Sequence, residues 1–353
     1  MAINNKTILS GISDAPLNNF VPTKLFASNF AAGTTKDNFA GKTSDSTPSK
    51  AWDTISGTDS ITGFTWPGQS ANMPNSMPGA PLNINWSMVQ LINNYATTMV
   101  NVSDYGTATI QDTTGPDGTT EKELALNLID AGARDGGGNI AFGGQIWLTL
   151  NRISSGTVIP ASDIDDIYVS YHFKHPASMG SILPNSGRMI ISDFKSGGDA
   201  GLYGGDFRIL TAIEKDASGN LMWRAMADRG GNTTKTVAPD GIKPFDATSG
   251  NFLYWRETNK AVPVTFNVWH KFELYIHRHA TRGLVLWAID GQVICAHQGR
   301  TLGEYGNQWG RFMPFGIYTS AGPGSGSIVR PEIWNFPKNG SVLQDLARKM
   351  LAW

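Results

Sequence analysis

The sequence predicts a single large antiparallel β-sandwich, and three observations lead to it. Segments of two-residue alternation recur through residues 105–338, divided by Gly, Asn, Asp and Pro at roughly the 8–12-residue spacing of all-β domains. Almost no helical periodicity lies between them. The chain also has the apolar bulk for a large core: 11 Trp, 16 Phe and 9 Tyr among 353 residues, 40% of which are hydrophobic.

The clearest strands are Ile167–His175, Arg188–Lys195, Asp206–Glu214, Leu221–Asp228 and Phe272–His279. In the first, Ile167, Val169, Tyr171 and Phe173 take one face and Tyr168, Ser170, His172 and Lys174 the other. In the last, Phe272, Leu274 and Ile276 oppose Glu273, Tyr275, His277 and His279. Leu284–Ile289 and Gln292–His297 flank Asp290-Gly291, a two-residue hairpin signal. Thr107–Gln111, Glu123–Ile129, Ile140–Leu150, Phe315–Ser320 and Ile328–Trp334 complete the set, and no blade-length repeat supports a propeller.

The flanks read differently. Residues 1–80 are dense in Gly and Pro and read as an extended N-terminal arm that wraps its own domain or a neighbouring subunit. Residues 81–104 read as a helical linker, because Ile84, Met88, Leu91, Ile92, Tyr95 and Met99 recur at spacings of three and four. Residues 341–353 read as an amphipathic helix with Val342, Leu343, Leu346, Met350 and Trp353 on one stripe.

Charge narrows the function classes. Only 16% of residues are charged, against about 25% usually, and the net charge is -1. Bulk electrostatics therefore holds this chain neither to nucleic acid nor to an anionic membrane. No apolar run is long enough to span a bilayer as a helix. Cys295, the one cysteine, reads as a small buried hydrophobe, and no Cys/His spacing suggests zinc. No cofactor is expected; calcium suits sandwiches of this kind, but no dense acidic loop is present. The first residues lack a secretory pattern, whereas the Asn-, Gly-, Ser- and Thr-rich composition suits an exterior surface. The expected location is therefore extracellular or a virion.

Ordered features between residues 123 and 335 resemble the concanavalin A-like jelly roll, and more narrowly the polysaccharide lyases of family 14. They are Leu124–Ile129; the run Gly136-Gly137-Gly138-Asn139; Tyr168-Val169-Ser170-Tyr171-His172-Phe173; Gly201-Leu202-Tyr203-Gly204-Gly205; Met222-Trp223-Arg224; Trp269-His270-Lys271-Phe272; and Trp287-Ala288-Ile289-Asp290-Gly291. The resemblance implies a groove binding a polysaccharide. It departs from the family where a lysine precedes the Gly-Leu-Tyr-Gly-Gly stretch: Gly198 stands there, with Lys195 three residues earlier. Arg224 is followed by Ala225, Met226 and Ala227 in place of groove-facing tyrosines.

Two readings follow. As a lyase, the chain would use Tyr275 or His277 as base, with Arg224, Lys174 or Lys195 neutralising a uronate carboxylate. This needs His172, Lys174, Arg224, Tyr275 and His277 to meet in one groove. As a binding or structural protein it would need only contacts to sugar: His172, Lys174, Arg188, Tyr203 and His279, with Trp255 and Trp309 in loop-like segments for stacking. The incomplete lyase set favours the second reading, a lectin-like structural protein of an extracellular assembly, in the first place a bacteriophage virion. Its partners would be a surface glycan and, through the N-terminal arm, other copies or virion proteins. Glycosidase and serine-hydrolase signatures are not found.

Overall fold

The computed structural model describes residues 23–36, 50–67, 87–93, 106–128, 142–148, 166–196, 208–228, 253–302, 309–319 and 324–336. These form two antiparallel sheets, the jelly-roll sandwich expected from the alternation. Sheet I runs β16 (Gln292–Gly299), β15 (Gly283–Ile289), β14 (His270–His277), β9 (Asp166–Lys174), β18 (Ser325–Phe336), β7 (Thr120–Leu128) and β6 (Gly106–Thr114). A further strand, β1 (Thr23–Ala27), pairs with the second half of β18. Sheet II runs β13 (Leu253–Asn259), β12 (Leu221–Asp228), β11 (Arg208–Lys215), β10 (Arg188–Ser196), β17 (Trp309–Thr319), β8 (Phe142–Leu148), β5 (Ser87–Asn93), β3 (Lys50–Thr58) and β2 (Thr35–Lys36). Here β4 (Thr65–Pro67) pairs with β3. One short helix, α1 (Ser178–Ile182), follows β9.

Aromatic side chains hold the sheets face to face. Tyr171 of β9 stacks on Phe272 of β14 at 4.4 Å between centroids and meets Phe315 of β17, in the opposite sheet, edge-on at 5.9 Å. Trp223 of sheet II meets Trp287 of sheet I edge-on at 5.8 Å. Such pairs contribute about 0.5–1.5 kcal/mol each beyond the area they bury. The edge strands β13 and β16 close one side: Trp255 stacks on His297 at 4.0 Å, and Asn259 Nδ2 donates to the Val293 and Ile294 carbonyls. The Asp290-Gly291 hairpin forms as its dipeptide predicts, with φ of 51° and 72°.

Two expectations need correction, and a third is made more specific. Residues 81–104 are not helical throughout, because Ser87–Asn93 is strand β5 between β3 and β8. The run from Met88 to Ile92 satisfies either period, and backbone pairing on both sides decides for the strand. Within residues 1–80, expected as an extended arm wrapping its own domain or a neighbouring subunit, β1 to β4 pair into this chain's own sheets, β1 in sheet I and the other three in sheet II. Asn251–Asn259 is not a loop, since β13 occupies most of it. The C-terminal helix expected over 341–353 lies outside the described residues.

Besides the backbone ladders, one buried carboxylate ties the turns of the N-terminal strands together. Asp59 accepts hydrogen bonds from Ser28 Oγ (2.9 Å) and the amides of Asn29, Ala31, Ile61 and Thr62 (2.6–3.2 Å). It thus joins the turn after β1 to the turn between β3 and β4. Burial raises its proton affinity, but these hydrogen bonds outweigh burial and hold the carboxyl below its ordinary value. Replacing Asp59 with Ala leaves several donors without their acceptor, so a loss of about 3 kcal/mol is expected by denaturant unfolding. Loss of less than about 0.5 kcal/mol would show that the clamp does not hold β1 to the sandwich.

Candidate functional site

The outer face of sheet II follows from the register of β10 to β13. Ile209, Ile213, Trp223, Ala225 and Ala227 point into the core, so Leu210, Ala212, Glu214, Met222, Arg224 and Met226 point outward. Across the strands, Ile190, Ala212, Arg224 and Thr258 form one row, and Asp193, Leu210, Met226 and Arg256 form the next. The result is a largely apolar and buried layer, with Arg224 and Arg256 in the same cross-strand rows. Arg224, 5% exposed, donates through Nη1 to Glu214 Oε2. Its Nε is buried and finds no acceptor among the described residues. Burial lowers the proton affinity of this guanidinium; Glu214 opposes that, and Arg256 and Arg188 add to it. An arginine keeps its charge regardless, so Arg188 and Arg256 add positive charge beside the Arg224–Glu214 pair. Arg188 Nη1 also lies 3.7 Å from the Met226 sulfur. Further along the face, Arg208 holds Asp228 in a two-point ion pair, with Nη2 to Oδ2 at 2.9 Å.

The outer face of sheet I carries the remaining predicted groups. β9 and β14 are neighbours, as the lyase reading requires, but β12 belongs to the other sheet. Arg224 and Tyr275 therefore occupy opposite outer faces of the sandwich, and the expected five-residue groove is not formed. Tyr275 is fully buried beside Leu286 and Ala288, and its hydroxyl donates to Asp166 Oδ2. Burial, then the Asp166 charge and hydrogen bond, push that hydroxyl far above its ordinary value. Tyr275 is thus a structural donor and not a base that reaches substrate. His277 is better placed, with its side chain 23% exposed and its Nδ1 2.8 Å from Asp166 Oδ1. His279 lies just past β14.

Other predicted residues are committed elsewhere. Burial, Arg330 and Lys271 push His172 down to about 4, so it is neutral near pH 7. Lys174 Nζ sits 4.5 Å from the Trp269 ring centroid, a cation–π contact within the protein. Trp255 is 8% exposed, and its indole donates to the Arg300 carbonyl at 2.9 Å; stacked on His297, it seals the sheet edges and offers no platform to a sugar. Lys195 pairs in register with Arg208, and Trp309 opens β17 opposite Ser196, within sheet II and not in a loop. Tyr203 lies outside the described residues.

Glu214, Arg256 and Asp166 complete these arrangements and were not singled out from sequence. Glu214 had a readable signal, since the alternation of Asp206–Glu214 puts it on the polar face of a strand next to Arg224. Asp166 had none, because its role depends on which strand lies beside β14. Among the described residues, no three His, Cys, Asp or Glu side chains are grouped to hold a metal ion, and no helix is long and apolar enough to cross a membrane.

No protein-family model matches the chain. No curated protein matches it either. Solved structures similar to it include alginate lyase Aly36B (13% identity, 65% of this chain and 87% of that chain, TM-score 0.36). An endo-1,3-β-glucanase from Streptomyces sioyaensis is 11% identical over 91% of this chain and 98% of its own, with a TM-score of 0.40. The exoplasmic/lumenal domain of VIP36 is 11% identical over 65% and 83%, with a TM-score of 0.31. The jelly-roll architecture itself is defined by the strand orders of the two sheets.

Because Tyr275 is buried and bonded only within the protein, Tyr275→Phe is expected to cost about 1–2 kcal/mol of stability. Binding of any ligand to the arginine face should stay unchanged. Calorimetric melting and a binding titration check both; full stability with lost binding would overturn the assignment.

Proposed function

We propose that this chain is a non-catalytic glycan-binding jelly roll whose outer sheet II face takes an acidic sugar chain. The observation that carries it is the placement of Arg224, with Glu214, Arg188 and Arg256, on the face opposite Tyr275 and His277. β-Elimination needs charge neutralisation and a base at the same sugar. Here the cationic cluster and the predicted base belong to different sheets, which supports binding over cleavage. Arg256 is the exposed member of the cluster, and an arginine presents parallel donors suited to a ligand carboxylate.

We further assign this role to an extracellular assembly, in the first place a bacteriophage particle, where the chain would associate with its own copies. The low charge and the abundance of Asn, Gly, Ser and Thr support this setting. Sedimentation of the purified chain as a monomer at all concentrations would contradict it.

The test incubates the protein with alginate and glucuronan, with a neutral β-glucan as control. Binding to the acidic polymers, weakening as salt rises and falling roughly fivefold or more in Arg256→Ala, is the expected result. Absorbance at 235 nm should stay flat. A steady rise at 235 nm would make the chain a lyase, and equal affinity for the neutral polymer would remove the acidic-sugar reading.

A further inference from the structure

The end of β14 carries a second polar arrangement, on sheet I and independent of the arginines of sheet II. Its chemistry is set by hydrogen bonds that fix the protons of two histidines. His277 Nδ1 lies 2.8 Å from Asp166 Oδ1. An ionised carboxylate only accepts, so Nδ1 carries the proton, and in the neutral ring Nε2 keeps its lone pair. His279 is arranged the other way. Its Nδ1 receives the backbone N–H of Thr281 at 3.1 Å and of Arg282 at 2.9 Å. That nitrogen must be the acceptor, so the proton of neutral His279 sits on Nε2. Two imidazoles two residues apart thus present opposite tautomers, their rings 6.2 Å apart between centroids and 26° from parallel.

The backbone beneath the rings is held firmly. Thr301, 1% exposed, donates from Oγ1 to the His277 carbonyl at 2.6 Å. The same oxygen accepts from the His279 amide at 2.9 Å, and the Thr301 amide donates to the His279 carbonyl at 2.9 Å. Gly283 makes this approach feasible, since a Cβ there would stand 1.8 Å from Thr301 Oγ1. Both rings remain partly open to solvent, and Leu284, opposite His277 in register, is half-buried beside them.

We propose that His277 and His279 form a subsite for two adjacent hydroxyl groups of a neutral sugar. One hydroxyl donates to His277 Nε2, and its neighbour accepts from the Nε2–H of His279. The donor set discriminates among ligand classes. A metal ion needs lone pairs on both rings, and a phosphate dianion needs donors on both. One of each matches a diol, whose hydroxyls both give and take hydrogen bonds. Leu284 adds an apolar edge for the ring's C–H face. This subsite does not depend on the acidic-glycan reading of sheet II.

The experiment is long-range ¹H–¹⁵N NMR of the imidazoles in the full chain, titrated with methyl mannoside, methyl galactoside and methyl glucoside. A fully O-methylated mannoside is the control. The free protein should show His277 protonated on Nδ1 and His279 on Nε2. Adding a methyl glycoside should move both rings at about millimolar concentration, while the O-methylated control leaves them still. His279→Ala should weaken binding roughly five- to tenfold, and added salt should not. Either histidine in the opposite tautomer, or no ring movement with any of the three glycosides, overturns the proposal. The wild-type titration needs no variant, so the test stands even if His279→Ala folds poorly. Arg256→Ala, which weakens the sheet II site, leaves this binding unchanged, so failure at one site is distinguishable from failure at the other.

Discussion

The packed aromatic layer between the sheets decides which side of every strand faces outward. Tyr171 and Phe173 of β9 meet Phe315 of β17, while Trp223 of β12 meets Trp287 of β15, so the two sheets are keyed to each other. Side chains alternate with a period of two, and a slip of one residue would exchange the inner and outer sets of a whole strand. With Trp223 locked inward, Arg224 has to face out of sheet II. With Phe272 and Leu274 inward, Tyr275 and His277 have to face out of sheet I. The chemistry available on each face follows from that packing.

Two outer surfaces of different character result. Sheet II carries fixed positive charge around the Arg224–Glu214 pair, beside a buried apolar layer. Sheet I offers two imidazoles whose Nδ1 atoms are engaged by Asp166 and by the turn after β14. Between them lies a core that includes buried His175, where burial pushes the imidazole down to about 4. The two faces are chemically separate, and each is shaped by groups that a single strand cannot supply: Glu214 serves Arg224 from β11, and Asp166 serves His277 from β9.

The inward and outward assignment of individual strands was legible in the sequence, because alternation is local. Ile167–His175 and Phe272–His279 present the residues their periodicity indicates, and Asp290-Gly291 makes the hairpin its φ-tolerant residues favour. Which strands share a sheet was not legible. Nothing local distinguishes a β12 beside β14 from a β12 in the opposite layer, so Arg224 and Tyr275 could be assigned to one groove. Burial of polar groups was equally hidden: Tyr275 reads as an exposed phenol until Asp166 and Leu286 are found around it. Trp255 reads as a loop aromatic until His297, 42 positions later, stacks on it. Strand β5 escaped because its apolar residues fit more than one period, and β3 because the Gly- and Pro-rich segment around it reads as an arm; only pairing resolves them.

The separation of the two faces is tested most directly by hydrogen–deuterium exchange of the intact chain with and without a bound acidic polysaccharide. Protection confined to Arg208–Lys215, Leu221–Asp228 and Leu253–Asn259, with His270–His277 unchanged, is the predicted result. Protection of His270–His277 by the same polymer, with β11 to β13 unaffected, would contradict the account.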